Sequence, residues 1–261
     1  SKKIIKNFAP DFAVGTGGFA SGPALYEASK MGIPIFIQEQ NAHAGVTNKI
    51  LSKKAKAVFT AYPKVEGFPT EKIKFLGNPI RENIVSGMQE TAQAKEKMGL
   101  DKDKLTILSV GGSLGSRTLN NAWKENIENL KEKGYQLIWQ TGKLFFSEAK
   151  EAVESLNVSS LHAFDFISKK DLAYAAADAV VARAGASTVS ELCIVKKPAI
   201  LVPLPTAAED HQTKNCIALV ERNAALLVND SEASSVLVSN ALALISNDQQ
   251  RNSLSENIAV M

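Results

Sequence analysis

The strongest constraint on the fold is an alternation of short apolar runs with longer amphipathic stretches. The apolar runs are rich in Val, Ile, Leu or Phe, and continuous runs of this kind are typical of strands covered on both faces. Helical stretches separate most of them, and this succession predicts an α/β fold with parallel, doubly wound sheets. The predicted strands are 12–15, 34–38, 57–60, 73–76, 106–110, 136–140, 161–165, 179–182, 199–202 and 225–228.

The alternation breaks once, around the turn-forming sequence Gly77-Asn78-Pro79. A polar, charged helix follows before the next apolar run. We therefore place a domain boundary near residues 82–100 and predict two Rossmann-like halves, residues 1–82 and 83–261, facing a cleft. Ligands of such folds bind beyond the carboxyl ends of the strands. The chain opens and closes inside apparent helices, so we expect truncation at both ends and an incomplete first domain.

Composition and charge narrow the function classes. Hydrophobic residues make up 45% and charged residues 22% of the 261 positions, an ordinary globular balance. No apolar run approaches the roughly 18 residues that cross a bilayer. Cys193 and Cys216 lack CxxC spacing, which favours reduced thiols near the core of an intracellular protein. Residues 1–81 hold 12 Lys/Arg and 5 Asp/Glu, a net +7 that suits an anionic partner or membrane surface, although solvated lysines give the same count.

Two glycine-rich turns follow predicted strands and precede predicted helices. Residues 15–18 form the first turn, and residues 111–116 form the second. Bare N–H groups at a helix N-terminus bind anions, and the second turn adds the Ser113 hydroxyl, so it predicts a diphosphate site. It lacks the Lys of a P-loop and the GxGxxG spacing, which disfavours nucleoside triphosphate hydrolysis and NAD binding. A purely structural turn is the alternative in both places.

Four further polar groups lie where a ligand would be expected. Glu191 follows the turn 183–186 in the early part of a helix, where it suits the vicinal hydroxyls of a ribose or complements the helix dipole. The segment 206–215 offers donors and acceptors for a sugar, although His211 also fits a surface or capping role. Residues 38–43 are mostly polar and follow the end of a strand, where they would form either a cleft wall or a solvated loop. Arg81, near the boundary, suits an anionic substrate.

Six motifs occur in order along nearly the whole chain: GTGGFASGP, QEQNAHAGVTNK, GNPIR, GGSLGSRTLN, RAGASTVSE and EDHQTKN. Together they resemble the MurG family of bacterial N-acetylglucosaminyltransferases. The resemblance implies two Rossmann-like domains in the GT-B arrangement, with UDP-GlcNAc bound by the second. It also implies the residues that bind the donor nucleotide: Gly112 and Ser113 at the diphosphate, the Ile167 backbone at uracil and Glu191 at ribose. His211 and Gln212 would contact the GlcNAc hydroxyls, and Arg81 would lie close to the donor. Gly17, Gly18 and Asn41 would face the acceptor.

The resemblance implies an inverting reaction. The muramoyl C4 hydroxyl of lipid I attacks the anomeric carbon of GlcNAc, UDP leaves, and lipid II forms for peptidoglycan synthesis. Such an enzyme works peripherally at the cytoplasmic face of the bacterial membrane, and no nucleic-acid partner is expected. No DxD motif follows a predicted strand, so we expect a metal-independent reaction without a cofactor.

One departure leaves the catalytic residue unassigned. The family carries a His in a loop reading roughly GGTGGH, and nothing in this sequence matches that loop. A chain starting at Ser1 is therefore expected to bind donor without efficient turnover. Two alternatives stay open. The chain is another UDP-sugar enzyme of this architecture, such as a glycolipid glycosyltransferase or UDP-GlcNAc 2-epimerase, or it is a donor-binding fragment without turnover that needs a partner chain.

Overall fold

The computed structural model describes residues 1–87 and 89–261. It divides into two compact units, Ser1–Pro79 and Ile80–Met261, close to the predicted boundary after residue 82. Each unit is built around one parallel sheet, which confirms the predicted α/β class with two parallel-sheet domains. None of the helices within the described residues is long and apolar enough to cross a membrane.

The strands and helices follow each other in the predicted order. The strands are β1 Ala13–Gly15, β2 Ile35–Glu39, β3 Ala57–Thr60, β4 Ile73–Phe75, β5 Thr106–Val110, β6 Gln136–Gln140, β7 Leu161–Phe164, β8 Ala179–Ala182, β9 Ala199–Leu201 and β10 Leu226–Leu227. The helices are α1 Lys2–Phe8, α2 Ser21–Lys30, α3 Val46–Ser52, α4 Glu82–Ser86, α5 Thr91–Lys97, α6 Arg117–Lys133, α7 Phe146–Ser155, α8 Lys170–Ala176, α9 Ala186–Val195, α10 His211–Val220, α11 Ala233–Ser246 and α12 Asp248–Ile258.

The first unit holds a four-stranded sheet in the order β1-β2-β3-β4. Alternate residues of β2 point to opposite faces, and Ile35 and Ile37 are buried on one of them. Leu25 of α2 and Leu51 of α3 join them in a small core. The carboxyl ends of β1 and β2 therefore lie side by side, and each leads into a polar loop.

The second unit holds a six-stranded sheet in the order β10-β9-β8-β5-β6-β7. The chain runs outward from β5 in one direction and then returns to build the other side from β8. Val110 at the end of β5 pairs with Ala182 at the end of β8. The two loops that leave these ends therefore begin side by side at the switch point, where open α/β sheets bind their ligands.

Both faces of the second sheet are buried, which explains the continuous apolar runs of its strands. Leu108, Val110 and Ile138 face one core, together with residues of α8, α9 and α10. Ile107, Leu137 and Trp139 face the other, against α6 and α11. Both odd and even positions of β5 and β6 therefore carry buried apolar residues, because neither face of the sheet meets water there.

A buried ion pair holds α5 against the sheet. Lys95 Nζ lies 2.7 Å from Asp178 Oδ2, and the Lys95 side chain is almost wholly buried. The same ammonium donates to the carbonyl of Lys104, while Asp178 accepts a bond from the Thr106 N–H. Burial lowers the pKa of the nearby Lys197 ammonium, and the charge of Lys95 adds to that shift, while Asp178 opposes it.

Every predicted strand is confirmed, and no strand end differs from its predicted position by more than one residue. The short helix α4 was not predicted, because five residues after a Gly-Asn-Pro turn carry too little periodicity. It forms because Ile84 buries itself in the second unit's core. The helix predicted from residue 209 begins at His211, since Glu209 and Asp210 adopt left-handed backbone angles, with φ of 55° and 53°.

Candidate functional site

The glycine turn 111–116 presents backbone N–H groups at the start of α6. Gly112 and Gly115 have φ of +90° and +80°, a region that favours glycine. A Cβ at Gly115 would come within 1.9 Å of the Thr141 carbonyl oxygen, so the turn packs directly on the end of β6. The Ser116 hydroxyl accepts a bond from the Leu119 N–H and caps the helix. Gly112 and Ser113 stay exposed, and the positive end of α6 favours an anion at this turn.

Gln140, the last residue of β6, connects this turn to the segment after β7. Its Nε2 donates to the Gly112 carbonyl oxygen at 2.9 Å, and its Oε1 accepts from the Ile167 N–H at 3.0 Å. The side chain is 2% exposed. One buried amide therefore holds together two of the predicted ligand segments.

Asn120 of α6 supports the same corner of the sheet. Its Nδ2 donates to the Thr141 carbonyl at 2.8 Å, and its Oδ1 accepts from Trp139 Nε1 at 3.0 Å. Asn120 is buried, so these bonds satisfy polar groups that water does not reach. The first turn of α6 is thereby fixed relative to the end of β6.

Arg183 anchors the turn that opens α9. The guanidinium is buried and donates from Nη1 to the carbonyls of Val202 at 3.1 Å and Pro203 at 3.2 Å. The same nitrogen forms an ion pair with Asp230 Oδ1 at 2.5 Å, while Asp230 Oδ2 accepts from the Thr118 hydroxyl. The arginine thus ties the loops after β8, β9 and β10 to the first turn of α6.

Glu191 lies in the second turn of α9, as its position in the sequence predicted. The residue is 6% exposed, and its Oε2 accepts bonds from Lys170 Nζ at 2.7 Å and from the Tyr174 hydroxyl at 2.8 Å. Burial raises the pKa of the Tyr174 phenol well above its usual value, and the Glu191 charge adds to the shift. The phenol therefore stays protonated and remains a hydrogen-bond donor to the carboxylate.

The segment before α10 has an unusual backbone. Two consecutive non-glycine residues, Glu209 and Asp210, have left-handed φ values, a conformation that clusters at binding sites. His211 Nδ1 lies 2.7 Å from the Ala208 carbonyl oxygen, and Gln212 Oε1 accepts from the Leu204 N–H at 3.0 Å. Both side chains are half-buried at the start of α10.

Two of the remaining predicted residues are Asn215 and Arg81. Asn215 of α10 is fully buried and donates to the Ala184 carbonyl, so α10 is tied to the turn that opens α9. Arg81 is exposed and immediately precedes α4, which packs against α8 and α9. Gln140 thus brings Gly112 and Ile167 together through direct hydrogen bonds, and Glu191 is bonded separately to α8, which begins shortly after Ile167. The ligand roles of these residues, and of Ser113, His211 and Gln212, remain predictions.

The first unit has its own polar cluster around Glu39, at the end of β2. Glu39 is 2% exposed, and its carboxylate accepts hydrogen bonds from Asn41, Gly45 and Asn48. Asn41 donates its N–H and Nδ2 to Oε1, at 3.1 and 3.2 Å, while the Gly45 N–H and Asn48 Nδ2 bond Oε2 at 3.0 and 2.8 Å. Glu39 therefore fixes the loop that carries Asn41.

The turn after β1 lies beside this loop. Gly17 and Gly18 have φ of +85° and +75°, and a Cβ at Gly17 would lie 3.4 Å from Asn48 Nδ2. Asn78 completes the cluster, because its Nδ2 donates to the Gln40 carbonyl and its Oδ1 accepts from Gln38. Gly17 and Asn41 thus belong to one group of loops, and their role toward an acceptor remains a prediction.

The sequence reasoning missed the residues that hold these loops in place. Gln140, Asn120, Lys170 and Tyr174 were not singled out, and Arg183 was considered only as part of a turn. One signal was available for Gln140, which is a polar residue closing a strand that is otherwise buried on both faces. The pair Lys170 and Tyr174 is spaced i, i+4 on one helix, but their shared partner, Glu191, is distant in sequence.

The thiols and acidic groups form no cluster of three or more metal-ligand side chains within residues 1–87 and 89–261. Cys193 and Cys216 are free, as predicted, and burial raises their pKa values to about 11 and about 12. No three His, Cys, Asp or Glu side chains in that part of the chain could hold a metal ion.

Comparison with known families gives two matches. Residues 106–260 match the model of the glycosyltransferase family 28 C-terminal domain, and residues 1–60 match the family 28 N-terminal domain. The two matches fall in the two structural units.

Individual proteins agree with the family models. A protein of Bacteroides thetaiotaomicron named UDP-N-acetylglucosamine–N-acetylmuramyl-(pentapeptide) pyrophosphoryl-undecaprenol N-acetylglucosamine transferase is 50% identical over 99% of this chain and 70% of its own length. The crystal structure of Acinetobacter baumannii MurG matches with a TM-score of 0.77 and 29% identity, over 98% of this chain and 71% of its own. The S. aureus MnaA–UDP complex, at a TM-score of 0.65 and 14% identity over 98% and 73%, shares only the fold.

Proposed function

Because the chain belongs to glycosyltransferase family 28, we propose that it transfers GlcNAc from UDP-GlcNAc to the muramoyl C4 hydroxyl of lipid I, forming lipid II. The observation that carries this function is the 50% identity, over 99% of the chain, to a protein named for the same transfer. Enzymes that share only the architecture are far less similar, as the 14% identity to MnaA illustrates. The sequence likeness includes both structural units.

The reaction we propose is a single displacement with inversion. The C4 hydroxyl oxygen of the acceptor bonds to the anomeric carbon of GlcNAc, the bond from that carbon to the UDP oxygen breaks, and the hydroxyl proton leaves to a base. Negative charge develops on the UDP diphosphate as the bond breaks. Preorganised N–H donors aimed at that charge lower the barrier, because they need no reorganisation during the reaction.

The second unit supplies such donors at the glycine turn 111–116. Gly112 and Ser113 are exposed, and their N–H groups, together with the dipole of the 17-residue helix α6, would bind the diphosphate. The Glu191 carboxylate would accept hydrogen bonds from the ribose hydroxyls, and the Ile167 backbone would contact uracil. All three segments follow strands of the second sheet, and Gln140 hydrogen-bonds both Gly112 and Ile167, which supports this assignment.

The remaining donor contacts would come from three side chains. His211 and Gln212, at the start of α10, would bind the GlcNAc hydroxyls, and the strained backbone at residues 209–210 aims this segment. Arg81 would supply a positive charge close to the donor. In the first unit, Gly17, Gly18 and Asn41 would face the acceptor, held by Glu39. The reaction would need no metal, since no DxD motif follows a strand.

The acceptor is a lipid, and the first unit has a surface suited to an anionic membrane. Phe19 and Ile50 are 90% and 64% exposed beside an apolar groove of about 420 Å³ that includes Tyr26. Lys30 Nζ and Lys54 Nζ each lie 4.5 Å from the Tyr26 ring centroid. Apolar side chains bordered by lysines combine insertion with attraction to anionic headgroups. We therefore include in the proposal peripheral binding of the chain at the cytoplasmic face of the membrane.

The direct test is a transfer assay with the purified chain. Radiolabelled UDP-GlcNAc and a soluble lipid I analogue should give a product heavier than the acceptor by one GlcNAc residue, and UDP-glucose should give none. Because nothing in the sequence matches the family's GGTGGH loop, we expect this product to form inefficiently. Epimerisation of UDP-GlcNAc without acceptor would favour the epimerase alternative. Calorimetry with UDP separates binding from turnover, and absence of both binding and product would overturn the proposal.

A further inference from the structure

We propose that Lys170 and Tyr174 are positioning residues for ribose recognition, which they serve by holding one oxygen of the Glu191 carboxylate. This inference rests on the proposed function, in which Glu191 binds the ribose of the donor. It adds two residues of α8 that do not belong to the motifs by which the chain resembles its family. Neither needs to touch the nucleotide.

The geometry gives both bonds to a single oxygen. Lys170 Nζ and the Tyr174 hydroxyl both donate to Glu191 Oε2, at 2.7 and 2.8 Å. A carboxylate has about four lone-pair sites on two oxygens, so this arrangement reserves Oε1 for another donor. Vicinal ribose hydroxyls are donors of that kind. The two residues lie one turn apart on α8, so the carboxylate is held from one rigid element.

The charge balance favours the same interpretation. Glu191 is nearly buried, and a buried carboxylate without a partner is costly. Lys170 supplies the compensating charge while remaining partly exposed, and Tyr174 is a neutral, fully buried donor. A carboxylate that is already ionised and oriented binds hydroxyl groups with little free-energy cost of reorganisation.

α8 also connects the ribose acid with the nucleobase segment. The helix begins shortly after Ile167, whose N–H is held by Gln140. Lys170 and Tyr174 extend this linkage from the predicted uracil contact to Glu191. The same helix therefore sets the distance between the two predicted contacts of the nucleoside.

The rival explanation is that Lys170 binds the donor diphosphate directly. Ribose analogues distinguish the two, because 2′,3′-dideoxy-UDP keeps the diphosphate and loses both hydroxyls. The matched control is Lys169→Met, which removes the same charge from the neighbouring, exposed residue. Circular dichroism and thermal unfolding confirm that each variant folds.

Calorimetry should be done with UDP and 2′,3′-dideoxy-UDP on the wild type, Lys170→Met, Tyr174→Phe and Lys169→Met. We expect the Kd for UDP to rise about tenfold in Lys170→Met and in Tyr174→Phe, about 1.4 kcal/mol. The Kd for the dideoxy analogue should change less than twofold, and Lys169→Met should leave both values unchanged. Because Lys170 is partly exposed, its variant provides the test if Tyr174→Phe fails to fold.

Two results would overturn the inference while leaving the proposed function intact. If Lys170→Met raises the Kd for UDP and for the dideoxy analogue equally, the lysine binds the phosphates. If both folded variants bind UDP with unchanged affinity, Lys170 and Tyr174 do not position Glu191. A wild-type chain that binds no UDP would instead overturn the proposed function itself, together with the inference built on it.

Discussion

The side-chain amide of Gln140 donates a 2.9 Å hydrogen bond to the backbone carbonyl of Gly112, at the turn that would carry the diphosphate. Its oxygen also accepts from the Ile167 N–H. Replacing Gln140 with Leu leaves both backbone groups unpaired, so we expect a loss of about 1–3 kcal/mol in unfolding free energy and weaker UDP binding. Urea denaturation and calorimetry measure the two effects.

Gln140→Glu separates the two bonds. Glutamate keeps an acceptor for the Ile167 N–H but has no donor for the Gly112 carbonyl. UDP affinity should therefore fall in Gln140→Glu, while Gln93→Leu, on the exposed face of α5, should behave as wild type. If both Gln140 variants bind UDP normally, the turn does not depend on this side chain.

Glu191→Gln tests the ribose contact with minimal change of shape. The amide removes the negative charge that would strengthen hydrogen bonds from the ribose hydroxyls. The binding free energy of UDP should therefore become less favourable by about 1.5–3 kcal/mol, the range for charge-assisted hydrogen bonds. Calorimetry gives the affinity, and circular dichroism confirms the fold. Glu148→Gln, on the exposed surface of α7, is the matched control. Unchanged affinity in a folded variant would contradict the assignment.

The sequence predicted the strands of the second unit well because both faces of its sheet are buried, and an uninterrupted apolar run such as 106–110 leaves little choice. It also predicted which loops carry polar groups, since these follow strand ends. It did not predict that Lys170 and Tyr174 bond Glu191, because that contact depends on how α8 and α9 pack together on one face of the sheet. Nor did it predict Gln140 as a link, since the pattern marks where a strand ends but not where its last side chain points.

Glu39→Gln should affect the acceptor side of the reaction. The buried carboxylate accepts N–H hydrogen bonds at both of its oxygens, whereas an amide can accept only at one, so the loop carrying Asn41 should loosen. We expect the KM for the lipid I analogue to rise about tenfold, the equivalent of about 1.4 kcal/mol, while the Kd for UDP stays unchanged. Steady-state kinetics and calorimetry separate these effects. Weaker UDP binding without a change in acceptor KM would contradict this role.

Cys216 should make the protein less stable at alkaline pH. Burial raises the pKa of its thiol from 9.0 to about 12, so above pH 9 the unfolded thiol ionises while the folded one stays protonated. The unfolded state then binds fewer protons, and this thiol's stabilising contribution, complete below pH 9, is lost as pH rises toward 12. The expected slope is about 1.4 kcal/mol per pH unit.

Urea denaturation of Cys216→Ala between pH 9 and 11 measures this contribution. The variant should lose about 1.4 kcal/mol less stability per pH unit than the wild type. Cys193→Ala should show a similar effect that ends near pH 11, since the pKa of that thiol is raised to about 11. Parallel curves for the wild type and Cys216→Ala would show that the thiol ionises equally in the folded and unfolded states.

The apolar and basic surface of the first unit makes separable contributions to membrane binding. Phe19→Ser with Ile50→Ser should weaken binding to phosphatidylglycerol-containing vesicles at every salt concentration, because it removes inserted area. Lys30→Gln with Lys54→Gln should cost about 1 kcal/mol per lysine at low salt and less at high salt, because headgroup attraction is screened. Cosedimentation measures both, with phosphatidylcholine vesicles as the uncharged reference. Leu144→Ser, on an exposed site of the second unit, is the control, and equal binding by all variants would place the membrane contact elsewhere.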